Sequence, residues 1–217
     1  MQRAELRLRT LVMCDDLWHP GANIRRGLAA LGDCGFNFEY LQDGTAWSGD
    51  RMAEFAVVVL AKSNVLSATD KNPWLAVEAQ CEFQNYLHGG HGLVVVHSGA
   101  AGYKELPVIR ALTGGMFLHH PDQCPVSLIP RPGNPVSFGV TPFTVQDEHY
   151  FMTLDDQQAD VFLQSQSAHG IQPAGWTRCE GRGRVCVLTP GHNTEVWLHP
   201  MFQTLLRNAL HWAAGIN

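Results

Sequence analysis

Residues 92–103 read GLVVVHSGAAGY, and this stretch decides the fold. Leu93 to Val96 form a short apolar run that stops at His97, Ser98 and Gly99. An uninterrupted β-branched run of this kind predicts a strand buried on both faces, as in a parallel sheet. The small residues after it permit a sharp turn. Side chains at such a strand end project into the crevice where open α/β sheets bind ligands. His97 therefore stands where chemistry is expected.

Working outward, residues 7–14 predict a first strand, followed by a polar loop containing Asp15, Asp16, Trp18, His19 and Pro20. Ala22 to Leu31 predicts a helix, with Ile24, Leu28 and Leu31 on one face. Phe36 to Leu41 and Phe55 to Leu60 predict strands. Pro73 suits a first helical turn, and a helix is expected from there to about His88, ended by Gly89 and Gly90. Lys104 to Thr113 predicts a further helix. This alternation predicts an α/β doubly wound, mainly parallel sheet with helices on both faces, residues 1–217 forming one domain.

Beyond Gly114 the pattern changes. GGMFLHHPDQ reads as a loop, and residues 125–145 carry five prolines, as edge strands and turns would. Val161 to Gln166 predicts a short strand. Trp176–Cys179 and Arg184–Leu188 predict a hairpin, and Leu198 to Ala214 the closing helix.

Composition narrows the function. A formal net charge of -5 without Lys/Arg clusters argues against nucleic acid or an anionic membrane as partner. No apolar run is long enough to span a bilayer, and MQRAELRLRT lacks a signal-peptide core. None of the six cysteines has CxxC spacing, so reduced thiols in a cytoplasmic protein are expected. No GxGxxG or GxxxxGK pattern occurs, so no nucleotide cofactor is expected.

Four loops after predicted strands contain histidine: His19, His97, the pair His119-His120, and His192. Parallel strand ends share one edge, so these imidazoles are expected to converge. With a carboxylate they would hold a divalent metal such as zinc, manganese or iron, or serve as acid and base. The alternative is a set of unrelated surface histidines. Asp147-Glu148-His149-Tyr150 is a second cluster, either site carboxylates or a solvated turn. A nucleophile elbow needs Ser, Cys or Asp at the tip, and here the tip is His97.

The stretches GHGLVVVHSG, GGMFLHHP, PFTVQDEHYF, GRGRVCVLTPGHNTEVW and NALHWAAG follow one another in this order. In this the chain resembles the ThuA-like proteins, the trehalose-utilisation family with the class I glutamine amidotransferase-like fold. The resemblance implies a flavodoxin-like core and a role in uptake or breakdown of disaccharides, including routes through 3-keto sugars. It places His97 at the amidotransferase elbow, without the cysteine, and His192 with Glu195 where a late His and Glu would stand. The family histidine of GGxFxxHP falls on His120, and the acidic-tyrosine motif on Asp147, Glu148 and Tyr150. A His-Pro pair found in many members is Asn134-Pro135 here.

Together these readings lead to an enzyme that isomerises or hydrolyses a sugar or keto-sugar. His97, His192 and Glu148 are its expected catalytic groups; His19, His97, His120 and His192 are its expected metal ligands. Trp18, Tyr103, Asp147 and Tyr150 would contact the sugar. The alternatives are a non-catalytic sugar-binding or regulatory protein, and a subunit that channels a small product to a partner enzyme. Exposed apolar residues in the proline-rich segment, and the frequency of homo-oligomers, lead to the expectation of self-association.

Overall fold

The computed structural model describes residues 7–216. The first six residues, part of the N-terminal reading above, lie outside that range, as does residue 217.

The strands are β1 (Leu8–Cys14), β2 (Phe36–Leu41), β3 (Val57–Ala61), β4 (Gly92–Val96), β5 (Gly115–His119), β6 (Cys124–Pro130), β7 (Phe143–Asp147), β8 (Phe151–Leu154), β9 (Asp160–Ser167), β10 (Gly170–Glu180) and β11 (Gly183–Leu188). The α-helices are α1 (Gly21–Ala29), α2 (Gly49–Ala53), α3 (Cys81–His88), α4 (Pro107–Thr113), α5 (Thr194–Leu198) and α6 (Pro200–Ala213). Nine strands form one sheet in the order β2-β1-β3-β4-β11-β10-β9-β6-β7. The first five run parallel, and their order corresponds to the 2-1-3-4-5 winding of flavodoxin-like folds. The remaining four are added antiparallel.

Residues Leu93 to Val96 are each at most 1% exposed, because helices cover both faces of the parallel half. Each such side chain contributes about 1.5–3 kcal/mol of burial free energy. On one face lie α1, α5 and α6, supplying Ile24, Leu28, Trp197, Phe202 and Leu206 to the core. On the other lie α3 and α4, with Phe83, Leu87, Ile109 and Leu112.

Strand directions place the site. β1, β4 and β11 are mutually parallel, so their C-terminal ends share one edge of the sheet. Four successive antiparallel pairings from β11 through β10, β9 and β6 bring β7 back to the same direction. Its C-terminal end thus faces that same edge. Register shifts between Pro173 and Trp176 interrupt the β9–β10 ladder, as bulges do where a sheet bends. The antiparallel half folds back far enough for Asp147, at the end of β7, to bond the backbone that follows β11.

Two expectations are corrected. The helix begun at Pro73 does not form there; α3 starts at Cys81, after a 3-10 turn at Val77–Ala79. Tertiary contacts hold residues 74–75 out of a helix: the Trp74 indole N–H donates to Ser63 O and Leu75 N–H donates to Asn64 Oδ1. GGMFLHH is not a loop either, since β5 pairs antiparallel with β8 to make a separate two-stranded ribbon. That ribbon packs Phe117 and Met152 into the core on the α3–α4 side of the sheet. Among the described residues no helix is long and apolar enough to cross a membrane.

Candidate metal centre

Strand β4 leads directly into His97, whose φ of 46° lies in the left-handed region. Such a conformation costs a non-glycine residue about 1–3 kcal/mol and is found at functional turns. Gly99 completes the elbow. A Cβ there would stand 1.9 Å from Leu60 O, so only glycine lets the turn lie against β3. His97 Nδ1 is 2.8 Å from Thr189 O, an acceptor, so Nδ1 carries the proton. Nε2 then holds the lone pair. It is buried without a hydrogen-bond partner and points at Glu148, 3.3 Å from Oε2.

His19 comes from the loop after β1. Its Nδ1–H donates to Asp16 Oδ1 at 2.8 Å, which leaves Nε2 as a second buried, unpartnered nitrogen. Asp16 is 1% exposed and also accepts the N–H groups of Trp18, His19 and Ser63. Burial alone would raise its carboxyl pKa, but these donors outweigh it and hold Asp16 well below the usual carboxylate range. Burial, reinforced by the neighbouring His97, lowers the His19 pKa against the opposing pull of Asp16.

His192 follows β11. Its Nδ1 lies 3.1 Å from Glu148 Oε1, again buried and without an aligned hydrogen bond. The Glu148 carboxylate raises the His192 pKa. Burial opposes ionisation of Glu148, yet His192 and His97 together hold it well below its ordinary range. The three imidazole rings meet edge-on, with centroids 4.9, 5.0 and 5.5 Å apart.

The donor atoms of His19, His97, His192 and Glu148 all lie within 4.8 Å of one another. Two tautomers are fixed by their outer partners, and both aim a bare lone pair inward. A lone pair facing a carboxylate repels it unless a cation or proton lies between. Outer hydrogen bonds of this kind are the usual support for metal-bound histidine. The residues therefore fit a divalent ion of the borderline class that accepts imidazole and carboxylate.

His120 stands at the rim, with 37% of its side chain exposed. Its Nδ1 lies 2.9 Å from Pro121 O and its Nε2 3.6 Å from Glu148 Oε2, outside the four convergent donors. Tyr150 is 3% exposed and stacks on His97 at 4.2 Å. Asp147, fully buried, accepts Gly191 N–H and His192 N–H, so it holds the loop of His192 rather than facing a ligand. Burial raises its pKa. Tyr103 belongs to the core: it is 5% exposed, and its hydroxyl donates to Lys62 O. Trp18, beside His19, is 57% exposed. Glu195 lies exposed on α5, and the carboxylate that meets His192 is Glu148 instead. Asn134, at the departure from the His-Pro pair, is buried against Asp160 and Thr177.

Asp16 and His149 stood outside the expected site residues. Asp16 leaves only a faint trace in the sequence, an Asp in a short polar loop of the kind that forms an Asx-turn, as its bonds to Trp18 N–H and His19 N–H show. The six cysteines are free, and burial pushes the Cys14 thiol up to about 11. A groove of about 820 Å³ lies elsewhere, between residues 130–142 and the end of α6, with Phe138 81% exposed at it.

No curated protein matches the chain in sequence. A protein described as ThuA-like from Parabacteroides merdae is similar in structure, with a TM-score of 0.75, 16% identity, and coverage of 97% of this chain and 91% of that one. A second ThuA-like protein, from Bacteroides uniformis, has a TM-score of 0.73 and 19% identity, covering 98% and 94%. A cytoplasmic protein of Salmonella typhimurium has a TM-score of 0.71 and 11% identity, covering 95% and 99%. At these identities the likeness is one of fold. The family model for ThuA, trehalose utilisation, matches residues 19–213. With nearly the whole described chain matched, the protein belongs to the ThuA family.

Proposed function

We propose that this protein is a carbohydrate-utilisation enzyme acting on a sugar or keto-sugar, by isomerisation or hydrolysis, at a divalent metal centre of His19, His97, His192 and Glu148. One observation carries the reading: three buried imidazole nitrogens without hydrogen-bond partners surround a single carboxylate. Zinc, manganese or iron bound there would polarise a carbonyl or hydroxyl oxygen.

The chain's own residues do the rest. Asp16 and Thr189 O hold the His19 and His97 rings in the tautomers that present Nε2 inward. His120 is the proton carrier at the rim: its Nδ1–H donates to Pro121 O, and Nε2, 3.6 Å from Glu148 Oε2, would accept a proton from substrate or solvent and hold it against that carboxylate. The exposed Trp18 offers a flat face to a sugar ring, and Tyr150 backs His97. Cytoplasmic location and self-association through the proline-rich segment bearing Phe138 belong to the same proposal, the latter checked by light-scattering mass.

A second reading has its own support. Four protein donors close a tetrahedral ion, whereas catalytic zinc sites keep one position open. The centre would then secure the fold of a sugar-binding or regulatory protein without turnover. Metal analysis of untagged protein, followed by turnover assays on a panel of sugars and keto-sugars, tests both. Failure to find or reconstitute any metal sinks the metal centre. Metal with sugar-dependent stabilisation but no turnover leaves the non-catalytic reading standing.

A further inference from the structure

Glu148 lies between β7 and β8, on residues 148–150 that have no regular secondary structure. No ladder of hydrogen bonds aims its side chain. Asp147 anchors the preceding residue to the backbone of Gly191 and His192. The following residue, His149, is anchored on the other side.

His149 is 1% exposed, and its ring is held between two serines of β9. Nδ1 is 2.7 Å from Ser167 Oγ and Nε2 is 2.9 Å from Ser165 Oγ. The proton directions follow from the neighbours. His169 N–H donates to Ser167 Oγ, and the Ser165 hydroxyl donates to Gln172 O at 3.4 Å. Ser165 therefore accepts from His149 Nε2–H, and the Ser167 hydroxyl donates to Nδ1. Both ring nitrogens are used, so this imidazole has no lone pair left for a metal or a proton. An apolar side chain of the same size would fill the space but would leave the ring plane, and the backbone carrying it, without a fixed direction.

We infer that His149 is a positioning residue that fixes the direction of Glu148 toward the three metal-facing histidines, by pinning the 148–150 segment to Ser165 and Ser167. The inference rests on the metal reading above.

Cobalt(II) titration tests it, using wild type, His149→Leu, His149→Gln and the double variant Ser165→Ala/Ser167→Ala. Circular dichroism and the melting temperature of cobalt-free protein report the fold. His149 bonds Ser165 and Ser167 and acts on Glu148 through the backbone, so His149→Leu is expected to weaken cobalt binding by about 10-fold, the low end of what loss of a group directly bonded to a ligand costs, and to change the visible absorption of bound cobalt. His149→Gln, which keeps one serine partner, should recover part of the affinity. The double serine variant should resemble His149→Leu, and it decides the matter if His149→Leu does not fold. A merely structural role predicts a lower melting temperature with wild-type cobalt affinity and spectrum, and that result overturns the inference while leaving the metal centre in place. A wild type that binds no cobalt overturns both.

Discussion

In the tautomer that donates Nδ1–H to Thr189 O, His97 Nε2 and Glu148 Oε2 face each other at 3.3 Å as two acceptors, a contact that a cation or a second proton on the ring relieves. Two acceptors in contact inside a buried site repel, at a cost that low local polarity increases. A bound cation removes that repulsion. Metal should therefore stabilise this protein, by an amount that grows with the ratio of free metal to its dissociation constant. Differential scanning calorimetry with and without chelator should show the rise in melting temperature. His97→Ala and His192→Ala should each abolish the metal-dependent part of it, and persistence of that part in both variants would remove them from the ligand set.

Asp16 orients His19 through a 2.8 Å bond and has almost no exposed surface of its own. Asp16→Asn exchanges one carboxylate oxygen for an amide N–H, so either Ser63 N–H, now on Oδ2, or the Trp18 N–H, His19 N–H and His19 Nδ1–H donors, now on Oδ1, lose their acceptor. Metal affinity is expected to fall about 10–100-fold. Isothermal titration with zinc reads this directly, and unchanged affinity in a folded variant refutes the role.

Glu148 and His192 set the pH dependence, with opposite signs. Glu148 titrates below its ordinary value of 4.5, so its contribution is present above that value and lost as pH falls. His192 titrates above its ordinary 6.5, so its contribution is present below that value and lost as pH rises through the folded value. The metal-free protein should accordingly gain most from this pair between about pH 4.5 and 6.5. Metal competes with the proton on His192, so the stabilisation by metal should increase as pH is raised through and beyond that window. Melting curves at a series of pH values, with metal and with chelator, give the two trends; a metal effect that shrinks as pH rises contradicts the assignment.

His120 is outside the four donors, so removing it should separate chemistry from binding. His120→Ala is expected to keep the metal content of wild type and to lower kcat by about 10²–10⁴-fold once a substrate is found. Loss of metal in that variant would instead make His120 a ligand.

Trp18 is exposed beside His19 and bonds only through its backbone. Trp18→Ala should leave stability within about 0.5 kcal/mol, as for a surface substitution, and raise KM or the dissociation constant for the sugar. Equal affinity in wild type and variant would show that no ring stacks there.

The sequence alone determined the parallel core and the edge on which His19, His97 and His192 meet. That follows from local chemistry: β-branched runs make buried strands, glycines end them, and parallel strands must place their following loops on one side. The same local reading could not choose among polar residues close together in the chain. Glu148 rather than Glu195 meets His192, because four antiparallel strands fold back and carry the end of β7 to the end of β11. Tyr103 went to the core and Trp18 to the surface for a similar reason, since burial depends on which helix or ribbon covers a position. Asp16 orients His19 three residues on, but is itself fixed by Ser63, 47 residues away, and His149 takes its part from Ser165 and Ser167, 16 and 18 residues away. Those pairings exist only after the chain has folded, which is why tertiary structure, not residue pattern, decided which side chains face the centre and which ones hold it.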